Sequence, residues 1–164
     1  MKKLIMLFFM LGTFLFAETA VQTEKFSLDF QNDFVFQEFS IPTPEKDLHL
    51  SIYLGEGDTF SSTLTVADIN KESLEKYKTE EILENTIKTG IAQINGEILE
   101  IKDISFETYK GKECKCLVAQ EEGTYTCFIR AYVVNEEIYV LGTSSLNDDR
   151  TIVDKFFNSF KIIK

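Results

Sequence analysis

The segment TYTCFIRAYVVNEEIYVLG, residues 124–142, is the most regular part of the chain. Residues 131–134 and 138–141 are apolar at nearly every position, which is typical of strands that are covered on both faces. Asn135 and Glu136 separate the two runs and favour a tight turn between them. The segment therefore predicts two buried, antiparallel strands joined by a short turn.

The three cysteines of the chain lie on two neighbouring predicted strands. If Ala119 pairs with Thr124 across a turn at Gln120–Gly123, Cys116 faces Cys127 on one side of the sheet. Cys114 would lie on the same side, one pair further along. Three interpretations remain open: a Cys116–Cys127 disulfide with a spare thiol, three reduced and buried thiols, or a thiolate metal site. We take the disulfide as the candidate site and expect no metal ligand set, although the odd number also allows intermolecular pairing.

Two helices are predicted around these strands. The first follows Asn70, a suitable N-cap, and spans about residues 71–89, with Gly90 at its C-terminal cap. The second begins near Asn147. Its apolar face consists of Ile152, Val153, Phe156, Phe157 and Phe160. A mostly antiparallel sheet with helices on both faces is the simplest packing of these elements.

The first half of the chain is rich in alternating segments, which predict further strands. One of them loses its alternation between Phe36 and Phe39, and a β-bulge near Gln37 and Glu38 would explain the change. The predicted strands here cover residues 26–30, 34–41, 48–53 and 60–67.

The end of the chain carries a combination of elements found in a known family. Residues 130–141 are RAYVVNEEIYVL and residues 156–162 are FFNSFKI. This pattern resembles the PsbP-like (Mog/PsbP) family. It consists of a strand ending in a two-residue turn, a strand with an inward tyrosine, and a helix finishing in Phe-x-x-Ser-Phe. The resemblance implies the α+β class and a three-layer α/β/α sandwich with a mostly antiparallel sheet. It also implies an accessory or binding protein, because family members share no catalytic centre; one branch serves photosystem II and another binds a small GTPase.

The first seventeen residues have the three parts of a secretory signal peptide. Lys2 and Lys3 form a basic start, residues 4–16 are almost wholly apolar, and Ala17 is a small residue at the exit. The apolar core is shorter than the about 20 residues that span a bilayer. We therefore expect an exported protein, periplasmic or extracellular. The expected organisation is a signal peptide at 1–17, a loose segment at 18–24 and a single PsbP-like domain at 25–164.

The composition limits the partners of this domain. The 164 residues include 27 acidic and 17 basic side chains, and loss of Lys2 and Lys3 would take the net charge from −10 to −12. Such a surface argues against nucleic acid and against anionic membranes, and it leaves a basic protein partner open. No second apolar run is long enough to cross a membrane, so the mature chain is expected to have no span.

Little in the sequence indicates catalysis. The single histidine, His49, has Ser51 two residues further on the same strand face, but no nucleophile motif accompanies them. Asp148 and Asp149 suit a helix start better than a metal site. We expect no enzyme and no cofactor. The leading hypothesis is an exported accessory domain that binds a protein partner and assists an envelope complex. The alternative is a small-ligand or metal-binding periplasmic protein, followed by an exported hydrolase.

Overall fold

A computed structural model describes residues 14–16, 19–42 and 47–163. Within these ranges the chain forms eleven strands and three helices. The elements are β1 (Phe14–Phe16), β2 (Ala20–Gln22), β3 (Phe26–Asp29), β4 (Phe34–Ile41), β5 (Leu48–Glu56), β6 (Phe60–Asp68), α1 (Lys71–Lys76), α2 (Thr79–Gln93), β7 (Glu97–Phe106), β8 (Tyr109–Gln120), β9 (Gly123–Val134), β10 (Glu137–Ser145), α3 (Arg150–Ser159) and β11 (Lys161–Ile162).

Eight strands form the main sheet, in the order β1-β4-β5-β6-β10-β9-β8-β7, and β11, β3 and β2 form a small second sheet. All strand pairs of the described residues are antiparallel. The predicted α+β class with a mostly antiparallel sheet is confirmed. The finer prediction, a three-layer sandwich, stays a prediction.

Both predicted hairpins form with the predicted register. Val134 lies opposite Glu137 across the turn at Asn135, whose φ of 56° is one that asparagine tolerates better than most residues. In the preceding hairpin Ala119 lies opposite Thr124. The register of β8 and β9 therefore follows from turn position and the period of two along each strand.

Alternate residues of β9 serve two separate apolar clusters. Phe128 and Tyr132 belong to an aromatic cluster together with the buried side chains of β3 and α3. Cys127 and Ala131 belong to an aliphatic cluster together with the buried side of α2. The α2 members are Leu83, Ile87 and Ile91, which are at most 1 % exposed. Because adjacent strand residues point to opposite faces, α2 and α3 lie on opposite sides of this strand.

The closing helix α3 buries the predicted aromatic side chains. Phe156, Phe157 and Phe160 are 0 %, 4 % and 2 % exposed. The helix begins at Arg150, slightly later than predicted, because Asp149 is its N-cap and accepts a hydrogen bond of 3.0 Å from the Thr151 N–H. The predicted burial of this face is confirmed.

The prediction of one helix over residues 71–89 is wrong in its details. Asn70 does cap a helix start, since its Oδ1 accepts the Glu72 N–H at 2.9 Å, but α1 ends at Lys76. The chain is extended at Lys78, where α2 starts and continues through Gly90 to Gln93. Gly90 is therefore an interior helix residue and not a cap.

The bulge predicted in β4 is also absent. The pairing of β4 with β5 runs without a register shift, from Phe34 opposite Gly55 to Ile41 opposite Leu48. The strand instead carries apolar side chains on both of its faces, and this produces the apparent change of phase.

The predicted signal peptide lies mostly outside the described residues. The exception is Phe14–Phe16, which forms β1 and pairs with β4. No helix within the described ranges is long and apolar enough to cross a membrane.

Candidate functional site

The side of the main sheet that carries α2 is only partly covered by that helix. Helix α2 packs against β7, β8 and β9. Ala67 of β6 packs against the aliphatic cluster below α2, and Leu50 of β5 lies directly opposite Ala67. Leu50 and the other even-numbered residues of β5 therefore point to the same side of the sheet as α2. Apolar side chains of β4 and β5 also lie on this side. Phe39, opposite Leu50, is one of them, and the other six form what we call the open half-face: Val35, Ile41, Leu48, Leu50, Ile52 and Leu54.

The open half-face is apolar and partly accessible. Ile41 is 50 % exposed and the other five side chains are half-buried. Among the residues that the structure describes, neither apolar cluster includes any of the six. Exposed apolar surface of this kind marks interaction sites more often than scattered apolar residues do.

A cleft separates α2 from the open half-face. It has a volume of about 550 Å³. Its floor is formed by Thr65 of β6 and Val140 of β10, and Thr65 lies opposite Ile52 of the open half-face. The wall of the cleft is the uncharged side of α2: Asn85, Thr86, Thr89, Gly90 and Gln93.

On the other side of the sheet, a buried carboxylate is surrounded by cations. Glu113 is 3 % exposed. It contacts Arg130 at 2.6 Å, Lys102 at 2.9 Å and Arg150 at 3.2 Å. Burial acts to raise the pKa of Glu113, but hydrogen bonds from Lys102 and Arg130 and the nearby positive charges lower it to about 2.

This ion cluster attaches α3 to the sheet. The Arg130 guanidinium lies 4.4 Å from the ring centre of Phe157, and that of Arg150 lies 4.4 Å from the ring centre of Phe128. Arg150 also contacts Asp154, one turn further along α3, at 2.9 Å. Every cation here already has an acidic partner, so the arrangement indicates a structural role.

The three cysteines lie together below α2. Cys116 is opposite Cys127, and Cys114 shares their side of the sheet. All three are buried thiols in the structure, and oxidation of the pair stays a prediction. Hydrogen bonding to Cys116 and burial raise the pKa of Cys114 and of Cys127 above the ordinary thiol range. Hydrogen bonds with Cys114 and Cys127 lower the pKa of Cys116, which makes it the most acidic thiol of the group.

A polar groove of about 470 Å³ lies at one end of the sheet. Its acidic residues are Glu24, Asp68, Glu136 and Glu137. Glu137 is already engaged, since its carboxylate accepts hydrogen bonds from Lys25 at 2.8 Å and from the Tyr139 hydroxyl at 3.0 Å. The groove is acidic, but it offers fewer free carboxylates than its acid content suggests.

Of the residues considered for catalysis, His49 and Ser51 share one face of β5, whereas Asp148 and Asp149 lie at the start of α3. His49 is exposed at the start of β5, and its backbone N–H donates to the Asp68 carboxylate at 3.3 Å. Asp148 forms an ion pair with Lys115 at 2.7 Å, and Asp149 caps α3, as the helix-start interpretation expects. Within the described ranges no group of three or more His, Cys, Asp and Glu side chains is placed to hold a metal ion.

Sequence reasoning found the cysteine group but missed the open half-face. A signal was present in β4, which is apolar at both odd and even positions. Such strands need cover on two sides. The chain has only three helices within the described residues, and the sequence does not tell which strands they cover.

Comparisons with known proteins identify the fold. No protein-family model matches the chain. No curated protein matches it either. Among solved structures, CyanoP, the cyanobacterial PsbP protein of Synechocystis sp. PCC 6803, superposes with a TM-score of 0.55 over 92 % of each chain, at 8 % sequence identity.

The chain has a PsbP-like fold. At this identity the likeness concerns the fold alone. A second structure, PA94 of Pseudomonas aeruginosa, described as a protein of unknown function and putative regulator, aligns with 74 % of this chain and 92 % of its own, at 7 % identity and a TM-score of 0.48.

Proposed function

We propose that this PsbP-like protein is an exported, non-catalytic accessory protein that binds a protein partner through the open half-face. The compartment is the periplasm or the cell exterior, and the partner belongs to an envelope complex. The observation that carries the proposal is the group of six apolar side chains on β4 and β5 that neither apolar cluster of the described residues includes. We also propose that the helices and the main sheet form a three-layer α/β/α sandwich.

The energetics favour a protein partner for this surface. Burial of apolar area contributes about 25 cal/mol per Å², and contiguous exposed apolar surface is costly to leave in water. The side chains that line the neighbouring cleft are uncharged, so a partner that binds there would not remove ionised groups from water. The N-terminal signal pattern supports export, and the PsbP-like fold supports an accessory role.

Site-specific cross-linking in the native cell tests the proposal. A photoreactive amino acid at Ile52, in the open half-face, should cross-link to one envelope protein. The matched control is the same amino acid at Lys155, an exposed position on α3, on the other side of the sheet. Cross-links from both positions to the same set of proteins, or from neither, would contradict the proposed surface.

A further inference from the structure

We propose that the occupant of the open half-face is an amphipathic helix of the partner, with basic residues flanking its apolar stripe, seated beside α2 in the cleft at Gly90. The inference rests on the proposed function and specifies the element that is bound. It follows from the dimensions of the surface, from Gly90 and from the distribution of charge.

The dimensions of the open half-face fit one helix. Strands lie about 4.8 Å apart, so the width across β4, β5 and β6 is about 10 Å. A helix with its side chains is about 10–12 Å in diameter. The other half of this side of the sheet is already occupied by a helix, α2, which buries an apolar stripe on β8 and β9. A second helix next to α2 would complete the layer.

Gly90 is the second observation, because nothing among the residues that the structure describes explains a glycine at this position. Glycine in a helix interior weakens the helix relative to alanine. The backbone of Gly90 does not have a positive φ, and a Cβ built there would meet no atom within 4 Å. Gly90 lines the cleft, one helical turn from Thr86. Helices pack at interaxial distances of 8–10 Å when the side chains between them are small. A close neighbour on this side of α2 therefore accounts for glycine at this position.

The charges around the surface favour a basic partner. Strands β4, β5 and β6 contain no Lys or Arg. Glu56 lies on the side of the open half-face, whereas Glu38 and Asp68 point to the other side of the sheet. The whole chain has a net charge of −10. A helix whose apolar stripe is flanked by Lys or Arg would be attracted by this field, whereas a second copy of the chain would be repelled.

A designed peptide serves as the probe. It is a helix of about 14 residues built from leucine and lysine, with the leucines at i, i+3, i+4 spacing. Two control peptides keep its length: one alternates leucine and lysine with the period of a strand, and one has glutamate in place of lysine. Binding to the whole chain is measured by fluorescence anisotropy, and the protected backbone amides are mapped by hydrogen exchange.

Gly90→Leu is the decisive variant, because it fills the cleft where the fold has open space. It should keep or slightly raise the unfolding temperature of the parent chain, since leucine favours a helix more than glycine does, and it should weaken binding of the basic helix by about tenfold or more. Ala92→Leu, on an exposed position of the same helix, is the matched control and should bind like the parent. Protection on binding should appear in β5.

Several results would overturn the inference. One is equal binding of the basic helix to the Gly90→Leu and parent chains, which would indicate general attraction to an acidic surface. Another is equal binding of the strand-period peptide. A third is dimerisation that Gly90→Leu abolishes, which would assign the surface to a second copy. If the probe fails while Ile52 still cross-links to an envelope protein, the helix is wrong and the proposed function stands.

Discussion

At the scale of single residues, Glu113 shows how one buried charge can position a helix. Its carboxylate is almost inaccessible, yet it touches three cations that come from β7, β9 and α3. Removing one partner of a buried ion pair costs far more than the pair contributes in net terms, because the remaining charges are left without compensation. Glu113 therefore acts mainly by fixing where Arg130 and Arg150 lie.

The first prediction concerns acid stability. The folded-state pKa of Glu113, about 2, is below its ordinary value of 4.5. The carboxylate therefore stabilises the fold above about pH 4.5, and this contribution, on the order of 3 kcal/mol, is lost as the pH falls towards 2. Urea unfolding of the parent chain should show that loss. Glu113→Gln should be less stable at pH 7 and should lack this part of the pH dependence, with Glu100→Gln, an exposed position on β7, as control. An unchanged pH profile in Glu113→Gln would contradict the assignment.

The second prediction concerns the cysteines. Cys116 and Cys127 are direct cross-strand neighbours, and such positions fall within the Cα separation of up to about 7 Å that a disulfide needs. In protein recovered from its native compartment, unfolded without reductant, we expect one free thiol. A Cys114→Ala chain should then have none. Three free thiols in the parent chain would exclude the bond and leave a group of reduced, buried side chains.

At the scale of elements, sequence patterns predict the hairpins well and the helices less well. Turn residues fix both hairpins locally, so the register of β8 with β9 follows directly. The break before α2 has only a weak signal: the Lys78 N–H donates to Glu81 at 3.3 Å, with no proline or glycine at the junction. Gly90 is misleading because glycine is common after helices, whereas here Asn95, with φ of 52°, takes the left-handed position beyond α2. The open half-face escapes prediction because coverage of a strand depends on distant elements.

The third prediction tests how α3 is docked. Phe156 is fully buried, with its ring centre 5.8 Å from that of Phe30 and 6.5 Å from that of Phe60. Phe156→Ala should destabilise the fold by about 3–5 kcal/mol, since it removes a large buried ring and leaves a cavity. The control is Asn158→Ala, an exposed position of the same helix, for which a change within about 0.5 kcal/mol is expected. A loss below about 1 kcal/mol in Phe156→Ala, measured by denaturant unfolding, would mean that the helix is attached mainly by its ion pairs.

At the scale of the whole molecule, charge is unevenly distributed over the main sheet. Strands β7 and β8 carry four lysines, Lys102, Lys110, Lys112 and Lys115, which equal in number their four acids, Glu97, Glu100, Asp103 and Glu113. The opposite half, from β4 to β6, contains three acids and no Lys or Arg. The total composition indicates an acidic protein, but it does not reveal this separation, which depends on the order of strands in the sheet. The separation gives the molecule a direction along which a charged partner would be oriented before contact.

The fourth prediction concerns the start of the mature chain. The basic, apolar and small-residue parts of residues 1–17 predict cleavage after Ala17. N-terminal sequencing of protein from the native cell envelope should therefore begin near Glu18. An Ala17→Pro chain should be exported without processing and keep its leader. Recovery of the parent protein from the cytosol with Met1 or Lys2 at its start would contradict export.

The pairing of β1 with β4 has a consequence for the processed form. Cleavage after Ala17 would remove Phe14–Phe16 and leave β4 as the outermost strand of the sheet. Natural edge strands are usually protected by lysine, proline or a bulge, and β4 has eight residues, a single charge at Glu38 and an unbroken register with β5. Its unpaired backbone groups would then be a template for strand addition. At high concentration the processed protein should therefore be prone to fibril formation unless a bound partner covers that edge.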